Sequence, residues 1–140
     1  MAKVEMTIDS IRVSLLNYQR TVTLKEKGGE RCLLMWIDAA QGDAIATGLQ
    51  KAYSSQPLTH DFICSVISKL GAVLKYVVVH ELVKETFNAK ALLEREGKVI
   101  EIDCRPSDAF ATAIRADAPI FVTEEILDIS ATHQDKTGAG

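Results

Sequence analysis

The sequence lacks most of the features that announce a function at sight. No apolar run approaches the roughly 18 residues that a membrane-spanning helix needs. No apolar stretch follows the start Met1-Ala2-Lys3-Val4-Glu5-Met6, so no secretory signal is expected and the chain is read as cytoplasmic. The three cysteines, Cys32, Cys64 and Cys104, are far apart and odd in number. Without a CxxC pair there is neither a zinc knuckle nor a redox motif, and apolar surroundings suggest buried thiols. Basic clusters are missing too: Lys25-Glu26-Lys27 is already interrupted, and the formal net charge is −3. That balance argues against a dedicated nucleic-acid binder, which shows a basic footprint. Nucleophile elbow, Walker loop, dinucleotide fingerprint and HExxH are all absent, and Gly28-Gly29 is only a turn. There is no internal repeat and no linker.

What is present is an ordinary globular composition. The chain has 140 residues, 47 % hydrophobic and 25 % charged, which predicts one domain with a core that needs no staples. Val4 to Val13 alternates as a strand, and a change of parity near Asp9-Ser10 predicts a bulge. Thr21 to Lys25 is a second strand. Arg31 to Ile37 is apolar on both parities, the pattern of a strand buried on both faces. Ala40, Ala44, Ile45, Leu49, Ala52 and Tyr53 then recur at helical spacing, with Asp38 at the N-cap position and Ser54-Ser55-Gln56-Pro57 at the end.

Thr59 is placed to cap a second helix, whose stripe is Phe62, Ile63, Val66, Ile67 and Leu70, with Gly71 after its end. Val73 to Leu82 is the strongest strand, and on simple alternation His80 shares a face with Leu74, Tyr76, Val78 and Leu82. That face predicts a core or interface histidine. Two more alternating strands follow, around Phe87 to Glu94 and Val99 to Cys104, joined at Glu96-Gly97. A third helix runs from about Pro106 to Ala116, then come Ile120-Phe121-Val122 and a last helical turn at Glu124 to Asp128. The fold class is α+β: a single compact domain over 1–130 with a mixed, largely antiparallel sheet packed by about three helices. Its last strand–helix–strand unit offers a parallel pair, and 131–140 reads as a flexible tail.

The densest group of chemically able residues is Asp103, Arg105, Ser107 and Asp108, where a strand ends and a helix opens. With Pro106 at the first helical position, Asp108 falls third, beside free amides and the positive end of the helix dipole. Two readings stand. Asp108 or Ser107 caps the helix while Arg105 pairs with Asp103 or a neighbour. Alternatively the helix start binds a phosphate, with Arg105 and Ser107 as ligands and Asp103 or Asp108 holding a divalent cation. A second candidate is His60 beside Asp61, for proton transfer or metal binding. Neighbours on a helix do not face each other, so these two form no dyad on their own.

Three segments in order, Pro57-Leu58-Thr59-His60-Asp61-Phe62, Thr86-Phe87-Asn88-Ala89 and Ile102-Asp103-Cys104-Arg105-Pro106-Ser107-Asp108-Ala109, resemble the bifunctional nuclease domain family. Ala118-Pro119-Ile120-Phe121-Val122 fits the usual ending. The resemblance covers about Leu33 to Leu127. It implies a compact α/β domain that forms dimers or higher homo-oligomers, and RNase and DNase activity of the kind assigned to plant members. It supplies no agreed catalytic set. The matching positions are Thr59, His60, Asp61, Asp103, Arg105, Pro106, Ser107 and Asp108. Gln41 stands where the family often has an acid, Gln56 where it often has arginine, and Lys84-Glu85 where it often has Asp-Gly. The first two changes count against a nuclease.

Two functions therefore remain open from sequence. One is a metal-assisted phosphodiesterase acting on DNA or RNA, with His60, Asp61 and Asp108 catalytic, Arg105 and Ser107 on phosphate, and Mg or Mn on Asp103 and Asp108. The other is a non-enzymatic, homo-oligomeric ligand-binding or regulatory module.

Overall fold

Short turns join strands that follow one another in sequence, and so hairpins build most of the sheet. The computed structural model describes residues 2–51 and 55–133. Strands β1 (Lys3–Val13), β2 (Arg20–Glu26) and β3 (Arg31–Ile37) form an antiparallel meander. Helices α1 (Ala39–Gln50) and α2 (Thr59–Lys69) follow. A second antiparallel meander comprises β4 (Val73–Val83), β5 (Thr86–Arg95) and β6 (Lys98–Cys104). Helix α3 (Pro106–Ala116) then leads to β7 (Ile120–Thr123), α4 (Glu124–Ser130) and the short β8 (Thr132–His133).

The strands form one sheet in the order β6-β5-β4-β7-β1-β2-β3-β8. β7 joins the two meanders, antiparallel to β1 and parallel to β4. The architecture is the expected α+β with a mixed, largely antiparallel sheet. The parallel pair differs in detail: β6 and β7, which flank α3, are separated by β5 and β4. A parallel neighbour needs a crossover, and α3 supplies it while passing over two strands. Thr132 and His133 extend the sheet beside Cys32 and Arg31; residues 134–140 of the expected tail lie outside the described residues. Among the described residues no helix is long and apolar enough to cross a membrane.

Bulges decide which side chains reach the core. The β1 register slips between Ile8 and Ser10, as the parity change predicted. Val4, Met6 and Ile8 before the slip and Ile11 after it thereby all pack on the core. β4 slips twice, between Leu74 and Tyr76 and between Val79 and Glu81. Leu74, Val77 and Val79 therefore enter the core, and His80 sits in the second bulge. The simple alternation assigned to that strand is overturned, because each extra residue inverts the pleat.

The helices pack on one face of the sheet. α3 is the most deeply buried, with Ala109, Phe110, Ala111 and Ala113 in a core shared with Leu24, Leu33, Ile45, Val77 and Val122. Full burial of Phe110 alone contributes about 2–3 kcal/mol relative to exposure. One-sided packing also corrects β3: Leu33 and Met35 are buried, but Leu34 and Trp36 face outward and are exposed. α2 divides its expected stripe, with Ile67 against the core and Phe62, Val66 and Leu70 exposed. α1 begins with Asp38 as its cap, whose Oδ1 accepts from Gln41 N at 2.8 Å while Gln41 Oε1 accepts from Asp38 N at 3.3 Å. It ends at Gln50, so the expected final residues Ala52 and Tyr53, with Ser54 of the stop signal, lie outside the described residues.

The β4–β5 turn is made by Lys84 (φ 50°) and Glu85 (φ 65°), both left-handed without glycine. A two-residue hairpin turn of this hand demands that conformation, at a cost of roughly 1 kcal/mol for a residue with a Cβ. Glu85→Gly should therefore stabilise the fold by up to about 1 kcal/mol and raise the melting temperature by a few degrees. A lowered melting temperature in calorimetry would show that this turn carries no such strain.

Candidate active site at the α2–α3 junction

The start of α3 follows from its sequence. β6 ends at Cys104, Arg105 takes the N-cap position with extended backbone, and Pro106 is the first helical residue. Ala109 N donates to Arg105 O at 3.0 Å, closing the first turn. Asp108 was expected as a backbone cap, and it does not act as one. Neither Ser107 nor Asp108 caps the helix; the Asp108 carboxylate turns sideways to two other side chains. Oδ2 accepts from Arg105 Nε at 2.8 Å, and Oδ1 lies 3.0 Å from His60 Nε2. Arg105 thus pairs with Asp108 rather than with Asp103.

α2 is built to deliver His60. Thr59 is already helical and the cap position is Leu58, so the predicted Thr59 cap is displaced by one residue. Asp61 does the capping in reverse: its Oδ2 accepts from Leu58 N at 2.9 Å. Its other oxygen accepts from Arg115 Nε at 2.9 Å, and Arg115 Nη1 donates to Ala111 O at 2.9 Å. The Cys64 thiol lies 3.6 Å from Thr112 O. Contacts 60–108 and 64–112 show α2 and α3 running side by side in the same direction, and Arg115 reaches back from the end of α3 to Asp61. His60 and Asp61 accordingly serve different partners, as neighbours on a helix must. Only 10 % of the His60 side chain is exposed.

The electrostatics follow from these contacts. Burial alone would raise the Asp108 carboxyl, but hydrogen bonds with Arg105 and His60 outweigh it and hold it below the usual carboxylate range. The Arg105 guanidinium is raised chiefly by its hydrogen bond to Asp108. The Leu58 amide is the largest influence lowering Asp61; burial opposes it and Arg115 reinforces it. Burial pushes Cys104 up to about 11, with Asp108 and Asp103 adding to the effect. Burial also raises Cys32 and Cys64. All three thiols are therefore protonated at neutral pH and poor nucleophiles.

Beside this junction lies a groove of about 310 Å³. Arg105 and Ser107 line one wall, Trp36 and Gln41 the other, and Phe87 stands at the β5 side. Arg105 is 64 % exposed at its side chain. Ser107 is only 4 % exposed, and among the described residues its hydroxyl has no hydrogen-bond partner. Its free hydroxyl and the two terminal nitrogens of Arg105 are thus available to an anion.

A divalent ion fits this arrangement poorly. Both Asp108 oxygens are engaged by donors, and Asp103 is exposed on β6, in register with Lys90. Among the described residues no group of three or more His, Cys, Asp or Glu side chains is placed to hold a metal. The structure thus brings together His60, Asp108 and Arg105, sets Ser107 beside them, and leaves Asp61 and Asp103 with other neighbours. Sequence reasoning missed Arg115, for which there was no local signal. It also missed Trp36, whose outward parity beside Leu33 and Met35 was visible but was read as burial on both faces.

A family profile described as the bifunctional nuclease domain matches residues 22–135. Uncharacterised proteins from two strains of Mycobacterium tuberculosis are 37 % identical over 123 residues, covering 88 % of this chain and 73 % of theirs. A rice protein (Oryza sativa subsp. japonica) named bifunctional nuclease 2 is 26 % identical over 100 residues. That match covers 69 % of this chain and 31 % of the rice protein.

Asp108 gives a pH prediction. Its pKa is depressed in the folded state, so its stabilisation is full above the unfolded value of about 3.9. That stabilisation is lost as pH falls through the folded value. Asp108→Asn should cost about 1–2 kcal/mol at neutral pH, the scale of a hydrogen bond to a charged group. Melting curves across pH should show the gap between the two proteins closing in acid. A gap of constant size would mean that the carboxylate charge is not what holds the junction.

Proposed function

The chain belongs to the bifunctional nuclease domain family, and from that premise we propose that it hydrolyses phosphodiester bonds of nucleic acid at the α2–α3 junction. The observation that carries this reading is the continuous His60–Asp108–Arg105 contact, which reaches the open groove through Arg105, with Asp108 and His60 behind its lining. Arg105 uses Nε for Asp108, which leaves its terminal nitrogens to grip two phosphate oxygens in a fork. The α3 amides and the Ser107 hydroxyl add donors at the same end. With Asp108 ionised, His60 Nε2 carries the proton that it shares with the carboxylate, so Nδ1 is the basic nitrogen. Nδ1 takes a proton from the attacking water, whose oxygen bonds to phosphorus as the ester P–O bond breaks, and the imidazolium so formed gives that proton up to the leaving oxygen. Arg105 offsets the charge that develops on the phosphoryl oxygens. No step is routed through a metal ion, since both Asp108 oxygens are engaged.

The test is cleavage of a labelled oligonucleotide by protein purified to homogeneity, with and without chelator. His60→Ala and Asp108→Asn should each lower kcat/KM by about 10²- to 10⁴-fold, and Arg105→Ala should both raise KM and lower kcat. Chelator should leave the rate unchanged. Full activity in the His60 and Asp108 variants would place the chemistry elsewhere.

One observation favours the non-enzymatic, homo-oligomeric reading. α2 and its cap expose Leu58, Phe62, Val66 and Leu70, spaced four apart along a single ridge, and such ridges interdigitate when helices pack. Light scattering decides it: a dimer mass that Phe62→Lys reduces to a monomer supports self-association on this ridge. A wild-type monomer removes this reading.

A further inference from the structure

Trp36 is the only tryptophan of the chain, and it is 67 % exposed. So large an aromatic surface is usually buried or occupied by a ligand. Its position supplies a reason. Trp36 lines the groove that runs to Arg105 and Ser107, and it also lines a second groove of about 470 Å³ on its other side. Gln41 lines both as well. The second groove reaches Tyr18, which is 70 % exposed on the β1–β2 connection.

That connection is held in place. Tyr18 N donates to Ser14 O at 2.9 Å, Ser14 N donates to Gln19 O at 2.9 Å, and Gln19 N donates to Asn17 Oδ1 at 3.1 Å. Tyr18 itself sits at φ 58°, which keeps the residue out of the strand and at the groove. Among the residues lining the two grooves Arg105 is the one cation. The path therefore has a cationic end at Arg105 and Ser107 and aromatic faces at Trp36 and Tyr18, with the carboxylates of Asp38 and Glu85 also in its lining.

We infer that the two grooves together form a base-stacking track for single-stranded nucleic acid, with one phosphate held by Arg105 and Ser107 and bases stacked on Trp36 and Tyr18. This rests on the phosphodiester reading of Arg105 and names the form of substrate that the site takes. Aromatic faces accept any base, and unpaired bases alone can reach them. Such binding also suits an acidic chain. A track with one cation draws its affinity from stacking and so depends little on salt. With one phosphate neutralised, the slope of log affinity against log salt should be about −0.7. A conventional basic surface gives a slope several times steeper.

Trp36 is its own probe. A short oligothymidylate should quench its fluorescence, an abasic strand of the same length should not, and the matched duplex should bind more weakly. By anisotropy of a labelled oligothymidylate, Trp36→Ala should weaken binding about 5- to 150-fold. Trp36→Phe should restore most of it, which a merely structural role would not require. Thermal melts of both variants establish that they are folded, and Phe serves if Ala is not. Equal binding of the abasic strand, unchanged affinity in Trp36→Ala, or a salt slope of several units would each overturn the track. The two readings separate cleanly. Quenching without cleavage removes the hydrolase and keeps the track, while cleavage without quenching removes the track and keeps the hydrolase.

Discussion

The Asp108 carboxylate is the point at which fold and site depend on one another. It stands at the start of α3, the helix whose Ala109, Phe110, Ala111 and Ala113 fill the centre of the core. From there it holds His60 of α2 with one oxygen and Arg105 at the end of β6 with the other. The join of β6 and α3 is thereby fixed to α2, 48 positions away in sequence, through one side chain. A carboxylate shared between an arginine and a histidine stays ionised despite partial burial. Its charge in turn orients the imidazole and aims the free end of the guanidinium outward. The second brace ties Asp61, in the same first turn of α2, to Arg115 near the end of α3.

The topology explains why the site lies there. Each meander could close by short turns alone, but neither could bury both a sheet face and its own helices. Inserting β7 between β4 and β1 merges the two into one sheet. The crossover that does so must travel over β5 and β4, and α3 is that crossover. Its N-terminus is consequently placed where β6 ends, facing the end of β3 across a groove. Because the helices cover only one sheet face, Trp36 on β3 remains outside the core and available at that groove.

Much of the fold was legible in local pattern. The Asp9-Ser10 bulge, the Asp38 cap of α1, Gly71 after α2 and Pro106 at the start of α3 all obey short-range rules and appear as expected. The failures share one cause, a register that only partners fix. β4 alternates smoothly on paper, yet two bulges invert its faces and move His80 out of line. β3 is apolar on both parities, yet only one of its faces meets helices. The site was half legible for the same reason. His60, Arg105 and Asp108 could be named from their place at helix starts. Their mutual contact could not, since it spans 48 positions between His60 and Asp108. Local reasoning favoured a backbone cap for Asp108, and its side-chain partners won, Arg105 three residues away and His60 across the fold, because a carboxylate bonds more strongly to a guanidinium than to an amide.

The acidic balance of the chain then changes its meaning. Read from composition alone, a net charge of −3 argues against nucleic acid, because phosphate neutralisation supplies most non-specific affinity. That reasoning assumes binding along a charged surface. Here the groove's cation is single and focused, backed by a half-buried carboxylate and flanked by aromatic faces. An arrangement of that kind pairs one phosphate with one guanidinium and leaves the remaining contacts to apolar surface. Repulsion between the acidic body and a long polyanion would disfavour duplex lying across the protein, while a strand end entering the groove presents few phosphates at once. On the proposed track, low overall basicity would thus select for short or single-stranded ends, provided that Arg105 keeps its carboxylate anchor.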